Sequence, residues 1–429
     1  MNRWVIRDVR LFDPGSGIDA PHRTVVLEGG RIVSLDAPAS TPGDRVFDGR
    51  GCLLLPGLID LRANLCEPGF TKRETIATGT KAAARGGFTA LLAMPATDPA
   101  VDRVEVVELI LARAREAGTT RVLPAGALSV GREGKRLTEM AQLAERGCVA
   151  FTDGDRAVRD SQLLRYALEL AAELGLPILT HAEDESLSLG GVMHEGVLST
   201  RLGLAGTPVA AEVVGISRDL ALAALTGARL HIGHVSTAEG VDLIRQAKRR
   251  GVRVTAEASP LYMLLTHEAV LGYDTSAKLW PPLRTRADVE AVIAGVADGT
   301  LDAIATDHLP QSDLDKNVEF DRAAAGAIGL ETALAVVLGL VREGRLTLER
   351  AVSAMTRSPA QVLARDDLGR LQDGGVGDVV LVDPERPWTC DPAAGASRSA
   401  NTPLSGRALQ GRAVLTIAAG EITFEEGSG

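Results

Sequence analysis

The chain has 429 residues, 45% apolar and 24% charged, which is the composition of a globular protein able to bury a large core without disulfides. A net charge of −10 and an aromatic content of 3% exclude nucleic acid and anionic membrane surfaces as default partners. Cys52, Cys66, Cys148 and Cys390 form no C-x-x-C pair and read as free thiols in a reducing cytoplasm; the N-terminus lacks the apolar core of a signal peptide, and no run of about 18 apolar residues predicts a membrane span.

Residues 1–55 predict short strands separated by turns. "WVIRDVRLFD" alternates, "PGSG" turns the chain, and "TVVLEGGRIVSLD" is a pair of strands around Gly-Gly. From 56 to 365 the texture changes. Eight short apolar runs, "GLIDL", "FTALLAM", "RVLPAGAL", "CVAFTD", "LPILTHAED", "ARLHIGHVS", "VRVTAEAS" and "DAIATDH", predict strands. Most are separated by helical patterns such as "RDSQLLRYALELAAELG" and "TAEGVDLIRQAKRRG", which end near Gly or a basic residue as helix C-termini do. This alternation predicts an α/β fold, a (β/α)8 TIM barrel. An open doubly wound sheet is the alternative, but no G-x-G-x-x-G follows the first strand. Residues 366–429 return to strands and turns, so both chain ends are expected to form one small β-sandwich domain beside a barrel of residues 56–365.

Polar residues gather where the barrel strands end. Arg62 and Asn64, Asp153, His181 with Glu183 and Asp184, His231 and His234, Glu257, and Asp307 with His308 all fall there. The C-terminal ends of barrel strands form the mouth where chemistry is done. Singly, each has a plain structural reading: a strand histidine is usually a hydrogen-bonded core residue, and Asp153 or Asp307 would cap a helix. Jointly, Asp, His, His and Asp converge on one volume, and imidazole with carboxylate suits Zn²⁺. Glu183, Glu257 and Glu331 are read as framework, and His22, His194 and His267 are given no role.

The motifs "LPGLIDLRANLCEPG", "AFTDGD", "THAED", "GGVMHEGVLSTRLGLAGTPVAAE", "HIGHVSTAEGVDLIRQAK", "PPLRTRADVEAVI", "IATDHLP", "GLETAL" and "NTPLSGRALQGRA" span nearly the whole chain. Through them it resembles the amidohydrolase superfamily, and within it dihydroorotase of the long, Asp-bridged type. The resemblance implies reversible cyclisation of N-carbamoyl-L-aspartate at a metal-bound hydroxide. It also implies one metal on a strand-one His-x-His with a bridging Asp and a strand-eight Asp, and a second metal on the bridging Asp and two histidines.

Carried over position by position, the resemblance gives a divided site. The His-x-His positions hold Arg62 and Asn64, and a guanidinium cannot ligate a cation. The second set, Asp153, His181 and His234, is present, and Asp307 stands at the strand-eight position as the remnant general base. The four substrate contacts of the family are replaced by Cys66, Ala96, Trp280 and Gln311.

Three functions follow as expectations. The first is an inactive family member that is a structural or regulatory partner of aspartate carbamoyltransferase in pyrimidine biosynthesis, cytoplasmic and homo-oligomeric. The second is a one-zinc amidohydrolase, acting on dihydroorotate or another cyclic amide, with the metal on Asp153, His181 and His234. The third is an active dihydroorotase with ligands supplied from elsewhere. Arg62 is expected to occupy the emptied metal position and to pair with Asp307, Asp153 or both; the alternative is an arginine that leaves the mouth for solvent.

Overall fold

The computed structural model describes residues 3–37 and 44–427. Eight parallel strands build the barrel: β1 (Leu58–Ala63), β2 (Phe88–Ala93), β3 (Arg121–Gly126), β4 (Ala150–Phe151), β5 (Ile178–Thr180), β6 (Leu230–Ile232), β7 (Val254–Ala258) and β8 (Ala303–Ile304). Each pairs with the next in chain order from β1 to β8. Between β8 and β1 the ring is shut by a backbone bridge just above β8. Asn64 N–H donates to the His308 carbonyl at 2.8 Å, and His308 N–H donates to the Arg62 carbonyl at 3.1 Å.

The helices between strands follow from local chemistry. Helix Ser161–Leu174 is capped by Asp160, whose carboxylate accepts from the N–H groups of Gln162 and Leu163. It buries Leu164, Ala167, Leu168 and Ala171, one stripe at helical spacing, and stops at Gly175 with φ 72°. Helix Ala238–Arg249 repeats this plan with Thr237 as cap and Val241, Ile244 and Ala247 buried. These faces pack on the outer side chains of the strands in a continuous apolar layer.

The two chain ends meet in one mixed eight-stranded sheet. Strand Leu53–Pro56 joins them: it runs parallel to Arg3–Asp13 and antiparallel to Val379–Thr389. Trp4 Nε1 donates to the Gly420 carbonyl at 2.7 Å, closing a contact across most of the chain. This sheet has a core of its own, including Ile6, Leu27, Leu54, Leu381 and Ile417. Among the described residues no helix is long and apolar enough to cross a membrane.

The barrel interior departs from the apolar expectation for parallel strands. Side chains alternate along a strand, so Asp60 and Arg62 share one side of β1 while Leu61 takes the other. Asp60, Arg62, His231 and Glu257 are all buried. Buried charge in a barrel requires partners, and these partners define the site.

Candidate active site at the barrel mouth

Arg62, at the C-terminal end of β1, is 2% exposed. Its Nε donates to Glu257 Oε1 on β7 at 2.9 Å, and Nη1 donates to the Gly154 carbonyl at 3.4 Å. Glu257 Oε2 lies 3.1 Å from His231 Nε2, whose Nδ1 is 2.9 Å from Thr255 Oγ1. A polar chain thus runs from the barrel floor to its mouth. Burial opposes the charge on Arg62, but Glu257 and Asp307 outweigh it and the guanidinium pKa sits above its ordinary value. Burial likewise pushes the Glu257 pKa up, yet His231 and Arg62 bring it below the usual carboxylate value. The pair is therefore ionised at neutral pH.

Arg62 also needs its neighbour to be glycine. A Cβ built on Gly233 would lie 2.0 Å from Arg62 Nη2. The guanidinium fills the volume that any other side chain at 233 would take.

This geometry corrects the expected partners of Arg62. The arginine does turn inward, but its hydrogen-bonded carboxylate is Glu257, not Asp307 or Asp153. Asp307 shares the mouth cavity and feels the charge of Arg62 without bonding to it. Asp153 faces elsewhere. Its Oδ1 accepts from the Ser129 N–H at 2.9 Å and its Oδ2 from Ser129 Oγ at 2.5 Å. From that turn, Gly154 and Asp155 line the mouth cavity instead. The chain turns at Gly154, whose φ is 72°, so a motif match at 153 does not by itself aim the carboxylate at the mouth.

The two histidines do meet. His181 Nδ1 lies 3.1 Å from His234 Nε2, and His181 Nε2 lies 3.1 Å from Glu183 Oε2. Trp280 Nε1 donates to the same Glu183 oxygen at 3.1 Å. One proton on each Nε2 satisfies this chain: His234 donates to His181, and His181 donates to Glu183. The bare Nδ1 of His234 is buried without a partner. Burial, reinforced by Arg62 and His181, holds the His234 pKa well below the usual imidazole value. His234 and Asp307 both hold left-handed backbone angles, φ 37° and 53°, a conformation uncommon outside glycine and concentrated at functional sites. Burial raises the Asp307 pKa to about 6, with Arg62 and His181 pulling it down and Glu257 pushing it up.

The cavity at the mouth encloses about 250 Å³ and is lined by Arg62, His234, Trp280, Asp307 and Gln311 among others. Of the four positions expected to replace family contacts, Trp280 and Gln311 line it. Cys66 is buried beside it, its thiol 3.7 Å from the Asn64 carbonyl and pushed up to about 12 by burial. Neither Cys66 nor Ala96 lines the cavity. Asn64 donates from Nδ2 to the His308 carbonyl at 3.2 Å. His231 and His308, the other two histidines at strand ends, serve Glu257 and the barrel seam.

These donors do not fit the expected zinc set. Of that set, Asp153, His181 and His234, the carboxylate has each oxygen hydrogen-bonded to Ser129 and the two imidazoles are bonded to each other, while strand β1 adds only a cation and a carboxamide. Among the described residues no group of three or more His, Cys, Asp or Glu side chains is arranged to hold a metal ion. The residues missed in the sequence are Glu257, as the partner of Arg62, and Gly233. A carboxylate inside an apolar strand such as "VTAEA" calls for a buried cation, and Arg62 was the available one.

Known proteins bear on the fold and the family. A dihydro-orotase-like family model matches residues 51–240. A dihydroorotase of Anaeromyxobacter dehalogenans strain 2CP-C is 50% identical over 421 residues, covering 97% of each chain. One from Syntrophotalea carbinolica is 48% identical over 420 residues, covering 98% of each. Among solved structures, the L-hydantoinase (dihydropyrimidinase) of Arthrobacter aurescens superposes with a TM-score of 0.89 at 24% identity, covering 100% of this chain and 97% of that one, and supports the barrel fold. With half of its residues shared over nearly full length, the chain belongs to the dihydroorotase family of amidohydrolases.

Proposed function

We propose that this protein is a catalytically silent dihydroorotase-family member that serves pyrimidine biosynthesis as a structural or regulatory partner of aspartate carbamoyltransferase. The observation that carries the reading is Arg62, held on Glu257 and the Gly154 carbonyl at a position where the family places a metal-binding histidine. A permanently charged guanidinium at that place repels a divalent cation. The replaced substrate contacts add to this, because losing one partner of a buried charge pair commonly costs about 2–5 kcal/mol of binding. The barrel is kept while its mouth changes, which suits a protein whose surface is the functional part, as a homo-oligomer or within a mixed assembly in the cytoplasm.

Two measurements test the reading. Dihydroorotate hydrolysis is expected at background level. Mixed with aspartate carbamoyltransferase of the same organism at micromolar concentration, the protein is expected to shift in mass by light scattering. Turnover well above background would end the silent reading, and an unchanged mass would end the partnership.

A second reading, a one-zinc amidohydrolase of dihydroorotate or another cyclic amide, is favoured by one observation. His181 and His234 bring two ring nitrogens within 3.1 Å beside a cavity that also holds Asp307. The engagement of Asp153 with Ser129 weighs against it. Elemental analysis after zinc supplementation separates the two: less than about a tenth of an equivalent rules this second reading out.

A further inference from the structure

A second chamber lies where the barrel meets the sheet of the chain ends. It encloses about 190 Å³, and its walls include Ile328, Leu330, Trp388 and Cys390, with Arg85 and Arg412 and the carboxylates of Glu331 and Asp391 also lining it. A wider groove next to it is lined by the same two arginines and Lys81, with Glu425 and Glu426. Arg85 and Arg412 therefore stand where chamber and groove meet.

The two arginines are not equivalent. Arg85 is committed: its Nε is 3.1 Å from Glu331 Oε2, and its Nη1 donates to the Ala394 carbonyl. Arg412 lies over the Trp388 ring, 5.0 Å from its centroid. Its nearest counter-charge is Glu426, with Nη1 3.6 Å from Oε1, and Glu331 also acts on it; among the described residues neither takes a hydrogen bond from its guanidinium. Burial, and then the charge of Arg85, lowers its pKa. A partly desolvated guanidinium whose neighbouring carboxylates take no hydrogen bond from it keeps its donors for a bound carboxylate or phosphate.

We propose that this chamber is a ligand site, separate from the barrel mouth, for a small organic anion with one ring. The ring would occupy the enclosed apolar part, and a carboxylate or phosphate would pair with Arg412 at the threshold. The volume is below the usual range for drug-sized ligands and suits a single ring. The inference is independent of whether the barrel mouth is silent, since the two sites share no residue on which either argument rests.

Calorimetric titration of the full-length protein tests it with four probes: benzoate, phenyl phosphate, phenol and inorganic phosphate. Benzoate or phenyl phosphate is expected to bind one to one, and which of them does so distinguishes carboxylate from phosphate as the head group. Phenol and inorganic phosphate, each lacking half of the recognition, are expected to bind at least about tenfold more weakly. Arg412→Gln is expected to weaken the ring anion by about tenfold or more at unchanged thermal stability, and Arg412→Lys to retain part of the affinity. The proposal is overturned if neither ring anion binds, if inorganic phosphate binds as tightly as they do, or if Arg412→Gln binds like the wild type.

Discussion

Arg62 and Glu257 face each other across the barrel at 2.9 Å, and both are almost inaccessible to solvent. They come from β1 and β7, two strands that do not pair, so their contact spans the barrel interior. A buried pair of this kind stabilises little compared with an apolar pair of similar size, but breaking it strands a charge.

Glu257→Gln is therefore expected to destabilise the protein by about 3–5 kcal/mol, read as a lower urea midpoint at constant slope. Adding Arg62→Met to Glu257→Gln is expected to recover part of that loss, because the stranded guanidinium is gone. If Glu257→Gln costs less than about 1 kcal/mol, the pair does not hold the structure assigned to it.

Gly233 gives a sharper geometric test. Gly233→Ala places a methyl group 2.0 Å from Arg62 Nη2 and is expected to cost about 1–3 kcal/mol. In an Arg62→Ala background the same substitution is expected to be nearly neutral. Equal costs in the two backgrounds would show that 233 and 62 do not compete for one volume.

Asp307 makes stability depend on pH. Its folded pKa is raised from 3.8 to about 6, so between those values the folded state holds a proton that the unfolded state has released. Stability from this group is full below pH 3.8 and falls as pH rises through 6. Wild type minus Asp307→Asn isolates the effect from other carboxylates. The difference in unfolding free energy is expected to move against the wild type from pH 4 to pH 7, and a flat difference would contradict the raised pKa.

Metal removal supplies a fourth test. A metal bound at one hundred times its dissociation constant stabilises a fold by about 2.7 kcal/mol. Because the donors of the mouth do not fit zinc, exhaustive chelation is expected to leave the melting temperature unchanged, and zinc supplementation to leave the purified protein below about a tenth of an equivalent. A fall of several degrees on chelation would restore the one-zinc reading.

Much of the fold was legible because its signal is local. Eight apolar runs separated by helical periodicity with Gly or basic ends are enough to predict the barrel, and even "DAIATDH", of which only Ala303–Ile304 is strand, lies at its proper place in the ring. The mouth was legible as a set of strand ends, and His181 with His234 came together as their positions implied. What was not legible depended on direction and distance. Whether 153 or its neighbours face the mouth turns on which way one side chain points, and the Ser129 loop that claims Asp153 has no mark in the sequence. The partner of Arg62 lies 195 positions away and is chosen by barrel geometry alone. Charge accounting narrows that choice, since a buried Arg and a buried Glu in one barrel interior are each costly alone.

The seam beside Arg62 and Asn64 has a consequence for how such a barrel can diverge. The bonds that shut the ring there use the Arg62 carbonyl, the Asn64 N–H and the backbone of His308. Backbone groups are the same whatever side chain they carry. Residues 62 and 64 can thus trade one chemistry for another while the hoop of the barrel stays fastened, and architecture and reactivity are free to evolve on separate schedules at the same two positions.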